Sequence, residues 1–152
     1  MGKYSEEPDI EISKADLGKV QLEDAIDLFL AGKRISVITL AGAADGIFSG
    51  LLKEQGKSSS AEETWDEIEE IREKTGLGYA GERTKKNAFN EWNEHRNRLK
   101  HHDKRDEEFI VFSAFDEAYH AIQRANLDAE KLGIVAENRQ ELENWLIGNI
   151  YM

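Results

Sequence analysis

The chain has 152 residues, a formal charge of −11 and no cysteine. Its length fits one domain, the missing cysteines exclude disulfides and thiolate metal sites, and the acidity argues against a general nucleic-acid binder held by bulk charge. A single proline, 34% charged residues and frequent Leu, Ile, Ala and Glu predict an all-α chain, an up-and-down bundle of five to six helices.

Residues 1–16 read as a flexible acidic tail and residues 17–152 as one helical-bundle domain. The N-terminus reads as polar, and no signal peptide is expected from it. It misses the myristoylation pattern because Glu6 stands where Ser or Thr is needed. A cytoplasmic location is expected. The first helix, residues 17–31, carries Leu22, Ile26, Phe29 and Leu30 on one side and stops at Gly32. Lys33-Arg34 leads into a second helix that runs to about Gln55. It is apolar nearly all round and rich in small residues, from Ala41 and Gly42 through Gly46 to Gly50, which suits close packing at the centre of a bundle. Its apolar run, Ile35 to Leu52, approaches membrane length, but Asp45 and the small residues favour a buried core helix, and no membrane partner is expected.

Ser60-Ala61-Glu62-Glu63 has capping-box spacing and opens a third, acidic helix to about Lys74. The glycines of Gly76–Gly81 form a loop. Their G-x-G-x-x-G order carries no dinucleotide reading, since no strand precedes it. The fourth helix covers residues 85–101 and the fifth residues 107–125, with Val111, Phe115, Ala118, Ile122 and Ala125 on one face and Leu127 to Gly133 either continuing it or turning; the last covers residues 137–150 with Leu142, Trp145, Leu146 and Ile150.

The fourth helix carries the chemistry. Its apolar stripe runs Phe89, Trp92, Leu99, and the slot between the last two belongs to Arg96. A guanidinium on a core-facing stripe is costly unless an anion meets it, either a carboxylate from a neighbouring helix or the phosphate of a ligand. Asp45, alone in an apolar helix, is the economical internal partner. From Arg83 to Arg105 there are eight Lys/Arg against three Asp/Glu and three of the four histidines, so one basic segment rides on an acidic body. Asn97 and His101 share a helix face. Arg96 and His101 converge only if the helix ends near Lys100 or a second subunit closes the gap. At a helix C-terminus the dipole favours a protonated His101.

Arg96-Asn97-x-x-x-His101 in a small all-α chain resembles the signature of the HEPN superfamily (higher eukaryotes and prokaryotes nucleotide-binding). Ile38-Thr39-Leu40-Ala41-Gly42-Ala43-Ala44 is similar to the central helix of its bacterial members. The resemblance covers residues 17–150 in architecture and six residues in motif. It implies a helical bundle, a homodimer joining two motifs in one cleft, and a metal-independent endoribonuclease or nucleotide/RNA-binding protein. A toxin or phage-defence setting, with an antitoxin or defence-system partner, goes with it. It also implies roles: Arg96 stabilises the phosphate, Asn97 orients the site, and His101 is general acid/base while the RNA 2′-OH attacks phosphorus. No cofactor is needed. The chain departs from the adenylylation-regulated toxin branch in having Asp103 where that branch has Tyr.

Supporting roles fall to Asp45, Lys100, His102 and His120. His95 and His102 flank Arg98 and widen an anion site, or form a solvated surface. Glu117-Ala118-Tyr119-His120 has the Glu-x-x-His spacing of di-iron bundles, but no second copy appears, so no metal ligands are assigned. With Arg124, Glu117 and His120 make a polar helix face or line a dimer groove. The alternative function is a non-catalytic helical interaction module whose Arg96 is paired internally. A metal-binding bundle ranks third.

Overall fold

A computed structural model describes residues 6–76 and 84–151. The start of the acidic tail and most of the glycine loop at Gly76–Gly81 lie outside the described residues. The described residues form seven α-helices and no strand: α1 Lys14–Leu30, α2 Arg34–Glu54, α3 Ser60–Thr75, α4 Lys85–Trp92, α5 Glu94–Lys100, α6 Ala114–Lys131 and α7 Arg139–Asn149.

Ser13 opens α1 by accepting the Asp16 N–H at 3.0 Å, so the helix begins at Lys14 rather than at residue 17. Leu22, Ala25, Ile26 and Phe29, spaced for one helix face, are fully buried. Gly32, at φ +83, reverses the chain into α2. Helix α2 is the centre of the bundle, packed on α1, α5 and α6. Its stripe Val37, Ile38, Ala41, Ala44, Phe48 and Leu52 is buried. Among the described residues it is the one helix long and apolar enough to cross a membrane, and here it fills the core.

The glycines of this core do unequal work. Gly46 and Gly50 meet nothing within 4 Å, so close packing does not account for them. A Cβ on Gly18 of α1, however, would sit 2.6 Å from the ring of Phe48, which is fully buried and has nowhere to go. Gly18→Ala is therefore expected to lower the unfolding free energy read from urea titration by about 1–3 kcal/mol through overpacking. Gly46→Ala and Gly50→Ala should raise it by about 0.5–1 kcal/mol each through helix propensity. A stabilised Gly18→Ala chain would refute this packing.

Four sequence expectations need correction. The third helix is capped by Ser59, not Ser60: Ser59 Oγ accepts the Glu62 N–H at 3.2 Å, and the Ser60 N–H donates to Asp128 Oδ1 at 2.6 Å. The fourth helix breaks at Asn93, which takes φ −101, ψ 6 while its Oδ1 accepts from Arg124 at 3.2 Å. That break makes seven helices out of six. The fifth helix starts at Ala114, not at residue 107, where Ser113 accepts the Asp116 N–H at 3.2 Å; of the two continuations left open beyond residue 125 it takes the helical one, to Lys131. Residues 107–113 are not helical, so Phe109 and Val111 are 79% and 92% exposed rather than core. Finally, Leu99 packs on the core whereas Phe89 and Trp92 pair with each other outside it, their centroids 5.3 Å apart.

Candidate functional site

Helical spacing on α2 puts Ile38, Gly42 and Asp45 on one stripe facing α5 and α6. Helix α6 answers with Glu117, His120 and Arg124, and α5 with Arg96. Together with Trp92 these groups surround a recess of about 80 Å³.

Arg96 occupies the space that Gly42 leaves. A Cβ at position 42 would lie 2.2 Å from Arg96 Cδ. The guanidinium Nη1 donates to the Gly42 carbonyl oxygen at 3.2 Å, and its buried Nε–H has no hydrogen-bond partner. Burial, and the charge of Arg124 beside it, lower the Arg96 pKa, with Asp45 opposing them.

Asp45, the expected partner of Arg96, is instead in closest contact with Arg124: Nε lies 3.2 Å from Asp45 Oδ2. The carboxyl is 3% exposed and abuts Asp128, which is fully buried. Each acid keeps one buried oxygen that no N–H reaches, Asp45 Oδ1 and Asp128 Oδ2. The two carboxyls can hydrogen-bond to each other only while one of them carries a proton. Burial first, then that hydrogen bond, pushes Asp45 up to about 8 against the pull of Arg124.

The other acid on the recess, Glu117, is engaged by His95, whose Nδ1 lies 2.7 Å from Oε1. Two guanidiniums thus face one recess, beside a buried Asp45 held toward its neutral form and a Glu117 hydrogen-bonded to His95. Paired guanidiniums are the chemistry that suits an anion.

Of the sequence-predicted site residues, the fold brings together Arg96, Asp45 and His120. It does not bring His101 to them. Helix α5 does end at Lys100, and His101 takes an extended conformation at φ −134, ψ 152. There it lines a separate recess of about 360 Å³ with Lys100, His102, Arg98, Glu107 and Ile110. Asn97 is exposed to solvent and lines neither recess. Within one chain the imidazole that shares the recess with the arginines is His120. Among the described residues no three His, Asp or Glu side chains gather as metal ligands.

Sequence reasoning placed Arg124 on a polar face but did not give it Asp45, and it missed Asp128. The signal for Asp128 was present. It stands between Ala125 and Ala129 on the buried side of α6, visible once the helix is extended past residue 125. No protein-family model, curated protein or solved structure matches this chain.

Proposed function

We propose that this chain is a HEPN-like bundle that binds the phosphate of RNA or of a nucleotide in the recess between Arg96 and Arg124. One observation carries the reading: Arg96 and Arg124 line the same recess, and the acid beside them, Asp45, is buried and held toward its neutral form. Beyond the one bond to the Gly42 carbonyl, the Arg96 guanidinium keeps donor capacity that a phosphate oxygen can accept. The proposal extends to metal-independent cleavage of RNA only with a second chain, because His101 stands in another recess of its own chain. In that form a homodimer supplies the imidazole of one chain to the arginines of its partner.

The test is binding of single-stranded RNA and of nucleotides without divalent metal. Arg96→Gln should weaken binding about 10- to 100-fold, the worth of a charge-assisted hydrogen bond. Gly42→Ala should do the same with Arg96 intact, since the new methyl takes the space of its Cδ. If the chain cleaves RNA, His101→Ala abolishes cleavage and leaves binding. Cleavage that survives in His101→Ala and is lost in His120→Ala would move the chemistry to a single-chain site. A second reading, the non-catalytic interaction module, draws on the Arg96 bond to the Gly42 carbonyl. Failure of every phosphate-bearing ligand to bind would leave that reading standing.

A further inference from the structure

A third depression, of about 290 Å³, runs between α3, α4 and α6, and it shares Trp92, His120 and Arg124 with the arginine recess. The two therefore adjoin, with these three side chains lining both. The small recess has room for little more than a phosphate group. The larger one has different walls: the indole of Trp92 and Leu127, which is 50% exposed, with Thr64 and Gln123 beside them.

Trp92 is a large aromatic ring on a groove rather than in the core. It packs only in part, against Phe89, and leaves apolar area facing the opening. Gln123 offers an amide donor and acceptor in the groove, and the Thr64 hydroxyl, which donates to the Ser60 carbonyl at 2.9 Å, retains acceptor capacity. A planar ring with polar edges, joined by a short spacer to an anion, matches this pair of depressions in size and chemistry.

We infer that the bound molecule is a single nucleotide unit, its phosphate between Arg96 and Arg124 and its base stacked on Trp92, with Gln123 at the base edge. The inference rests on the phosphate reading above and adds to it a base platform. One unit, and not several, is held, since the joined depressions stand at the small end of ligand pockets. The unit is either a free nucleoside monophosphate or one residue of a strand.

The experiment titrates the full chain with inorganic phosphate, adenosine monophosphate, adenosine and a six-nucleotide RNA, by calorimetry and tryptophan fluorescence. Adenosine monophosphate should bind about tenfold or more tighter than inorganic phosphate, with quenching of the indole. Trp92→Leu should abolish the quench and lower the affinity for adenosine monophosphate by about tenfold more than it lowers that for inorganic phosphate. Trp92→Phe should recover part of the affinity. Circular dichroism and urea melts of the variants monitor the fold. The RNA tells the two sources apart: affinity equal to the mononucleotide's identifies one unit of a strand as ligand, and affinity below it identifies the free nucleotide. An unchanged ratio of adenosine monophosphate to phosphate affinity in Trp92→Leu would overturn the base platform while leaving the phosphate site. Absence of binding by phosphate and nucleotides alike would overturn both.

Discussion

In Asp45→Asn, stability measured by urea unfolding becomes nearly independent of pH between about 5 and 9 relative to the native chain, which loses stability across the same interval. The native behaviour follows from the buried pair. Asp45 holds its proton up to about 8 when folded and up to about 3.8 when unfolded. Between those values the folded chain binds the additional proton, so stability is greatest at low pH and falls as pH rises, by up to about 1.4 kcal/mol per unit. The loss is complete above the folded value. An amide at position 45 donates permanently to Asp128 and turns its oxygen toward Arg124, so nothing is left to titrate there. Asp45→Ala is different in kind. It strips Arg124 of its contact and leaves Asp128 Oδ2 with no donor, which should cost about 3 kcal/mol at pH 7.

The same proton sets the charge of the recess. Deprotonation of Asp45 places a full carboxylate beside Arg124 and near Arg96, where it competes with an incoming phosphate. If the recess binds phosphate as proposed, anion affinity is expected to fall as pH rises through about 8, and to fall less in Asp45→Asn. A native chain whose stability rises from pH 5 to 9 relative to Asp45→Asn would refute the shared proton.

The helices that carry the core were legible because their periodicity is local. Leu22, Ile26 and Phe29, or Val37, Ala41, Ala44 and Phe48, repeat at helical spacing, and no distant contact is needed to read them. What escaped depends on packing between remote segments. Asn93 breaks the fourth helix, and its partner Arg124 lies 31 residues away. The Phe109-Ile110-Val111-Phe112 run is apolar enough to mimic a helix face, although Ser113 and Asp116 marked the true cap three residues apart. At the site, the need of Arg96 for an acceptor could be read from the stripe. Which groups meet it could not, because Asp45 sees both arginines only after α2, α5 and α6 have packed. The end of the helix at Lys100 was legible, but not that His101 would there line a recess away from Arg96.

Arg34→Ala is expected to lower stability by about 2–4 kcal/mol, more than any rule based on its sequence position would allow. The residue opens α2 directly after Lys33, a helix start with no side-chain cap and no acid in the first turn. A cation there opposes the helix dipole, so on local grounds its removal should stabilise by about 0.3–1 kcal/mol. Tertiary contacts reverse the sign. The guanidinium carbon lies 4.1 Å from the centroid of Phe29, 5.3 Å from Phe115 and 5.4 Å from Trp145. Its Nη1 also donates to the Phe29 carbonyl oxygen at the end of α1. One planar cation thus joins α1, α2, α6 and α7. Phe29 and Trp145 meet edge-on at 5.3 Å beneath it, so the three rings are already fixed in place. Arg34→Lys keeps the charge but loses the flat face and the fork, and should recover less than half of the loss. Arg34→Met keeps the apolar stem without the charge. If urea unfolding places it level with the native chain, the rings need only packing and the cation contributes nothing. If it falls with Arg34→Ala, the charge over the aromatic faces holds the four helices together.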